Sequence, residues 1–363
     1  MTKTSIQNEN RVMITPEEIK NEMLGASEVS PQIMNLIHDQ RLLQIWVPKK
    51  YGGLGFRLNQ GLQILFDWSK IDGSLGWMLT LCSGANFFSR NLKPEIATTL
   101  FSNSKTCFGG SGMIGGTAEK QNDGTFIING LWHFATGAPH LSHFTLNAKL
   151  TEKGIPLLDK FGSEIIRSFV ISKNEVEIIP NWKSMGMKAT GTFSFKVENV
   201  EVSEEYSFVY DDFFTDDVLD KIPFRIFADL TLLVNYLGIA SHFSEEAIII
   251  RPNLLLDSFN KMISNELEKT IDFANEIENI LNDFETVPPE KQTEIHSFGT
   301  DLVEKLSHQI LEIYFQLGLR ATHKDSAMYQ IFCDYFTATQ HANFRRDFKQ
   351  NEFYCESFTD EFR

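Results

Sequence analysis

Apolar positions along the chain fall into three successive textures. From Pro16 to about Phe101 they recur every three or four residues, the period of a helix: Ile33, Leu36 and Ile37 share one face, and Leu62, Leu65 and Phe66 another. Thr15 stands where a cap is wanted before Pro16, with Glu17 and Glu18 in the first turn, where the helix dipole favours acids. Ser30-Pro31 starts a second helix, and Pro94 a short one ending near Phe101. Tyr51-Gly52-Gly53-Leu54-Gly55 and Asp72-Gly73-Ser74 punctuate the run. From about Ser104 to Phe208 the period drops to two: Phe193, Phe195 and Val197 alternate with Ser194 and Lys196, and Asn122-Asp123-Gly124 is a turn before Phe126-Ile127-Ile128. From about Asp211 the helical period returns in longer stripes. One runs from Leu267 through Ile271, Ala274, Ile277 and Leu281 to Phe284, is stopped by Pro288-Pro289, and is followed by Phe298, Leu302, Leu306, Ile310, Ile313 and Leu317. A last helix is predicted from Ser326 to Phe348.

The fold class is therefore α+β, in three parts: a helical domain over 1–103, a β domain over 104–209 and a helical bundle over 210–363. Strand-rich sequence without intervening helices predicts an antiparallel barrel or sandwich. A length of 363 residues suits two or three domains at roughly 100–200 residues each. The net charge of −15 argues against nucleic acid and anionic lipid as partners. Ile226–Ala240 is apolar but carries Asp229, Thr231 and Asn235, which predicts a buried helix and no membrane span. Residues Met1–Lys20 have no apolar signal core, and Cys82, Cys107, Cys333 and Cys355 form no CxxC pair, so a reducing cytoplasm is expected. Phenylalanine is abundant at 31 residues, enough to fill a large core or line an apolar pocket.

Most local tests for chemistry fail. There is no phosphate loop and no Gly-x-Ser-x-Gly elbow, and the glycines from Gly109 to Gly116 open no strand–helix unit. His140 and His143 have no carboxylate or thiol partners nearby in sequence, so no metal site is expected. Two segments remain: Gly130-Leu131-Trp132-His133-Phe134-Ala135-Thr136-Gly137, and Trp182-Lys183-Ser184-Met185-Gly186-Met187-Lys188-Ala189-Thr190-Gly191-Thr192 before the strand Phe193–Val202.

Together with Val47-Pro48-Lys49-Lys50-Tyr51-Gly52-Gly53-Leu54-Gly55, these resemble the acyl-CoA dehydrogenase superfamily over nearly the whole chain. Gly130–Gly137, Gly76-Trp77 and the run from Cys333-Asp334 to His341 are most similar to its two-component flavin-dependent monooxygenases, the aromatic hydroxylases and the dibenzothiophene monooxygenase. Cys333 stands where that branch has Arg. Ala85 and Asn86 stand where it often has His, and Arg251-Pro252-Asn253 does not match the Arg-x-x-Phe-Gly of the dehydrogenases.

The resemblance implies a flavin cofactor, FAD or FMN, taken up as a reduced diffusible substrate from a separate flavin reductase. It also implies a small apolar or aromatic substrate and a homotetramer. Thr136 would hydrogen-bond the flavin near N5, with Gly137 beside it; Phe134 would pack on the ring edge. Gly109, Gly110 and Ser111 would let the backbone approach it, and Trp77 and Asn86 would face substrate. His341 would be the acid–base group, since a free imidazole titrates near 6.5. The same residues read locally as a turn Thr, a core Phe, a strand-end turn and, beside Arg345 and Arg346, an exposed His. Two rivals stay open: a dehydrogenase-like flavoprotein oxidising a CH–CH bond with bound FAD, and a catalytically silent homologue that binds without turnover. Leu254-Leu255-Leu256 and Phe332/Phe336 are surplus to one bundle and predict a subunit interface.

Overall fold

Capping chemistry starts the first helices where the sequence places it. Thr15 and Glu18 exchange bonds in a capping box at the head of α1 (Pro16–Met23), and Ser30 Oγ accepts the Ile33 N–H at the head of α2 (Pro31–Asp39). The computed structural model describes residues 14–283 and 286–344; Phe284, Arg345, Arg346, Phe348 and Cys355 of the sequence argument lie outside them. Helices α3 (Leu58–Ile71), α4 (Gly73–Asn86) and α5 (Pro94–Phe101) complete the first part. Asp72 separates α3 from α4 by capping the latter: its Oδ1 accepts the Leu75 N–H at 2.9 Å.

The strands then form one mixed sheet. β1 (Phe108–Lys120) and β2 (Thr125–Ala135) make the hairpin that Asn122-Asp123-Gly124 predicts. The 136–142 loop passes across the start of β1, so β3 (His143–Glu152) lies on its other side and runs parallel to it. This corrects the all-antiparallel expectation, because the direction of that crossing is not written in strand periodicity. β4 (Ile155–Pro156), β5 (Ile166–Ser172), β6 (Glu177–Ile179), β7 (Phe193–Ser203) and β8 (Ser207–Phe208) follow, in the order β6-β7-β2-β1-β3-β5-β8 with β4 on β3. The sheet is strongly curled. Phe195 of β7 and Phe144 of β3 are three strand spacings apart, about 14 Å if flat, yet their rings lie 4.7 Å apart.

The remaining helices are α6 (Phe224–Ile250), α7 (Asp257–Asp283), α8 (Pro289–Tyr314) and α9 (Ala327–Ala338). The long central helix α6 packs against α7, α8 and α9, and even more extensively against α3. The first and last parts of the chain therefore share a core, where a self-contained bundle was expected. One 18-residue window of α6 is apolar enough to cross a membrane by composition, and 89% of it is buried within the fold. The last helix is shorter than predicted, ending at Ala338, and a tight turn over Ala342–Phe344 follows.

The phenylalanines mostly fill joints. Phe87, Phe88, Phe208, Phe224, Phe227 and Tyr210 pack as one ring cluster where the end of α4 meets β8 and the start of α6, the core-filling alternative of the two that their abundance allows, with Phe224 at its exposed rim. Phe332 stacks on Tyr314 and packs against Phe336, and Leu256 is buried, so part of the predicted surplus is absorbed. Ile249, Leu255, Phe315 and Leu319 stay exposed at one end of the helices, where Arg251 Nη1 donates to the Gln316 carbonyl.

Candidate active site

The end of β2 is irregular. The β2–β7 register shifts between Trp132 and Ala135, and Phe134 in that bulge adopts a left-handed φ of +64°. Bulges re-aim side chains. Here the alternation breaks so that Trp132 turns in, fully buried with its indole N–H on the Asn147 carbonyl, while Phe134 turns out and is 62% exposed. Phe134 is therefore not the core residue that a local reading allows. Its ring faces Trp182 edge-on at 6.5 Å. Phe134 holds a large ring in solvent from a left-handed backbone position, an arrangement that costs local strain.

Thr136 follows directly, and its hydroxyl is ordered by its neighbours. Thr136 Oγ1 lies 3.0 Å from Thr192 Oγ1, which lies 2.7 Å from Thr190 Oγ1; Thr190 donates to the Met187 carbonyl at 2.7 Å. Each hydroxyl has one proton. Since Thr190 gives its proton to Met187, Thr192 must donate to Thr190 and Thr136 to Thr192. Thr136 is left with acceptor lone pairs only. Gly137 has φ +78° and Cys82 Sγ where a Cβ would stand, so a side chain is excluded there. Thr190 and Thr192 lie in the segment singled out from sequence but carried no assigned role. Their signal was two hydroxyls flanking Gly191 (φ +55°) just ahead of the alternating strand.

The segment carrying these threonines also joins the sheet to the helices. The Trp182 indole N–H donates to the Met187 carbonyl at 2.8 Å, and the Met187 N–H donates to Asp334 Oδ1 on α9. Gly186 is required there, because a Cβ would meet the Cys333 backbone at 2.2 Å. Asp334 and Asp72 are both almost fully buried, at 3% and 4% exposure. Burial and the nearby Asp72 charge push Asp334 well above the usual carboxylate range. Burial raises Asp72 to about 6, against its bonds from Leu75 N–H and from Gln330 Nε2 at 3.0 Å.

Trp77 of α4 and His341, each singled out from sequence, come together: their rings meet edge-to-face at 5.5 Å, and Tyr236 packs on Trp77 at 6.0 Å. His341 is partly buried, not the exposed residue of the local reading. Burial pushes its imidazole down to about 4, and its Nδ1 accepts the Asn343 N–H at 3.3 Å. It is therefore neutral near pH 7, held below the 6.5 of a free imidazole.

Three other expectations change. The space beside Gly109 and Gly110 is filled by the chain itself: added Cβ atoms would meet Leu141 Cδ2 at 2.7 Å and the Thr145 carbonyl at 1.7 Å, so these glycines serve strand packing. Ser111 is buried and its hydroxyl accepts the Met113 N–H at 3.3 Å. Asn86 is fully buried. It donates to the Leu43 and Thr106 carbonyls and accepts the Phe108 N–H, which ties α4 to β1 and leaves its amide no donor for a substrate. His140 and His143 are partly buried and lowered by desolvation; among the described residues no cluster of His, Cys, Asp or Glu could hold a metal ion. A groove of about 620 Å³ between α3, α6 and α7, bordered by Phe66, Lys70, Glu245 and Asn260, contains none of these residues.

Comparison with known proteins bears on the fold. No family model matches the chain. It is 24% identical over 248 residues to indole-3-acetate monooxygenase of Acinetobacter baumannii, covering 68% of this chain and 62% of that protein. It is 25% identical over 213 residues to indole-3-acetate monooxygenase of Pseudomonas putida, covering 58% and 53%. The match thus spans a little over half the length of these relatives, both of them monooxygenases. Among solved structures, the HsaA monooxygenase of M. tuberculosis superposes with a TM-score of 0.80 over 91% of each chain at 16% identity. XiaF from Streptomyces, in complex with FADH2 and glycerol, gives 0.78 over 91% of this chain and 89% of its own at 15% identity. TdsC from Paenibacillus, bound to FMN and indole, gives 0.72 over 89% and 90% at 18% identity. Over about nine-tenths of its length, the chain has the fold of the flavin-dependent monooxygenases.

Proposed function

We propose that this chain is the oxygenase component of a two-component monooxygenase, using reduced flavin delivered by a separate reductase to oxygenate a small aromatic substrate. The observation that carries this reading is the one-way hydroxyl chain Thr136–Thr192–Thr190 beside the outward ring of Phe134. A flat heteroaromatic ring fits against an exposed Phe, and a hydroxyl limited to accepting fits a ring nitrogen that carries hydrogen. Reduced flavin has N–H at N5; oxidised flavin has a bare acceptor there, which would face Thr136 lone pair to lone pair. Bound there, the flavin would supply the activation of oxygen. Phe134 and Trp182 would orient the ring plane, Thr136 would hold the N5 hydrogen, and Trp77 with His341 would border the substrate side. The relatives' names point to indoles as substrates. The exposed Ile249, Leu255, Phe315 and Leu319 support self-association, and we propose a homotetramer.

The test is anaerobic titration of the full chain with oxidised and with photoreduced FMN and FAD, followed by oxygen in the presence of indole-3-acetate and p-hydroxyphenylacetate. Tighter binding of reduced flavin, and a product carrying one atom from labelled oxygen, is the expected result. Tight oxidised FAD that is bleached by an acyl thioester would replace this reading with dehydrogenase chemistry. No binding in either redox state would leave a silent homologue.

A further inference from the structure

The end of α9 and the short turn after it are fixed at three points by helices α6 and α8. Tyr236 Oη donates to the Ala338 carbonyl at 2.7 Å. Asn343 Nδ2 donates to Asp229 Oδ1 at 2.6 Å, and Phe344 stacks on His296 at 5.8 Å and lies over Gly299, where a Cβ would come within 2.4 Å of its ring. Asp229 is fully buried in the second turn of α6, and a buried carboxylate is unfavourable unless it is bonded. Its two oxygens face His296 Nδ1 at 3.4 and 3.2 Å as well as Asn343. His341 sits inside this clamp, with its Nδ1 accepting the Asn343 backbone N–H.

A neutral imidazole carries one proton. With Nδ1 accepting, that proton is on Nε2. We infer that Asp229, acting through Asn343, is a positioning residue that holds His341 as the Nε2–H tautomer, so that the imidazole meets the Trp77 side of the site as a hydrogen-bond donor and not as a base. A donor there suits an oxygen of the substrate or of activated oxygen; the one basic nitrogen is turned back on the protein's own backbone. The use of that donor rests on the oxygenase reading, whereas the tautomer and its dependence on Asp229 and Asn343 do not.

The experiment separates the two. The full chain is labelled with ring-¹⁵N histidine, the His341 resonances are assigned by loss in His341→Gln, and the tautomer is read from two-bond proton–nitrogen correlations without flavin. The wild type is expected to show a pyrrole-type Nε2 and a pyridine-type Nδ1. Asn343→Ala keeps the backbone N–H but releases it from its Asp229 anchor, and should lower the Nε2–H to Nδ1–H ratio by up to about fivefold, the bias that one net hydrogen bond supplies. Asp229→Asn keeps an oxygen for Asn343 and should retain most of it. A wild-type Nδ1–H tautomer overturns the inference even if the variants do not fold. An unchanged ratio in a folded Asn343→Ala, checked by its melting temperature, overturns the role of the clamp. Failure to bind reduced flavin with the tautomer as stated would instead count against the oxygenase reading alone.

Discussion

Replacing Asp72 by Asn should make the protein more stable at alkaline pH. Asp72 is buried at the junction of α3, α4 and α9, and its carboxyl is raised to about 6 chiefly by desolvation. An unfolded Asp ionises near 3.9. A carboxyl raised on folding contributes stability that is complete below the unfolded value and lost as pH rises through the folded one. Between about pH 4 and 6 the native state must give up a proton that the unfolded chain has already released. Two pKa units at 1.36 kcal/mol each make this loss about 3 kcal/mol by pH 8. Asn retains the cap, because its oxygen can still accept the Leu75 N–H. Its amide nitrogen would face the Gln330 Nε2 donor and lose that bond, about 1 kcal/mol. The net expectation is a gain of about 2 kcal/mol at pH 8, shrinking to a slight loss near pH 4. Asp334 gains as well, since the neighbouring charge that raises it is removed. Urea unfolding of both proteins from pH 4.5 to 8, with equal m-values, measures the difference. A variant less stable than wild type at pH 8 would show that the buried carboxylate is well solvated or paired, and the argument would be wrong.

Phe134→Gly relieves a left-handed φ of +64° and should raise stability by about 1 kcal/mol while weakening flavin binding; a melting temperature that falls, or affinity that does not change, contradicts the site assignment. Thr192→Val interrupts the hydroxyl chain, freeing the Thr136 proton and orphaning the Thr190 acceptor side. Reduced flavin should then lose about tenfold of its preference over oxidised flavin in anaerobic titrations, and an unaltered preference would sink the polarity argument. Asn86→Ala removes three buried bonds to backbone and should cost about 3 kcal/mol or more, read as a lower denaturant midpoint. If it folds normally but changes substrate preference, Asn86 is a pocket residue after all.

Local sequence determined what local physics controls. Thr15, Ser30 and Asp72 cap helices because a short polar side chain ahead of an apolar-periodic run has N–H groups waiting for it. The Asn122-Asp123-Gly124 hairpin and the buried stripe of α6 follow in the same way from turn chemistry and spacing. Motif resemblance singled out Trp77 and His341 separately; that their rings meet across 264 positions of sequence is seen only in the fold. Tertiary structure alone decided the rest. Strand alternation carries no record of which side of β1 the chain crosses to, so the parallel β1–β3 pair was invisible. A glycine spelled in sequence does not say whether its vacancy faces a ligand or, as at Gly110, a neighbouring carbonyl. An imidazole's proton affinity is set by what surrounds it, and burial beside Trp77 moved His341 from a titrating group to a neutral one. The direction of the Thr136 hydroxyl is the furthest from sequence: it follows from a proton count along three side chains that meet only when β2 and the segment before β7 are brought together.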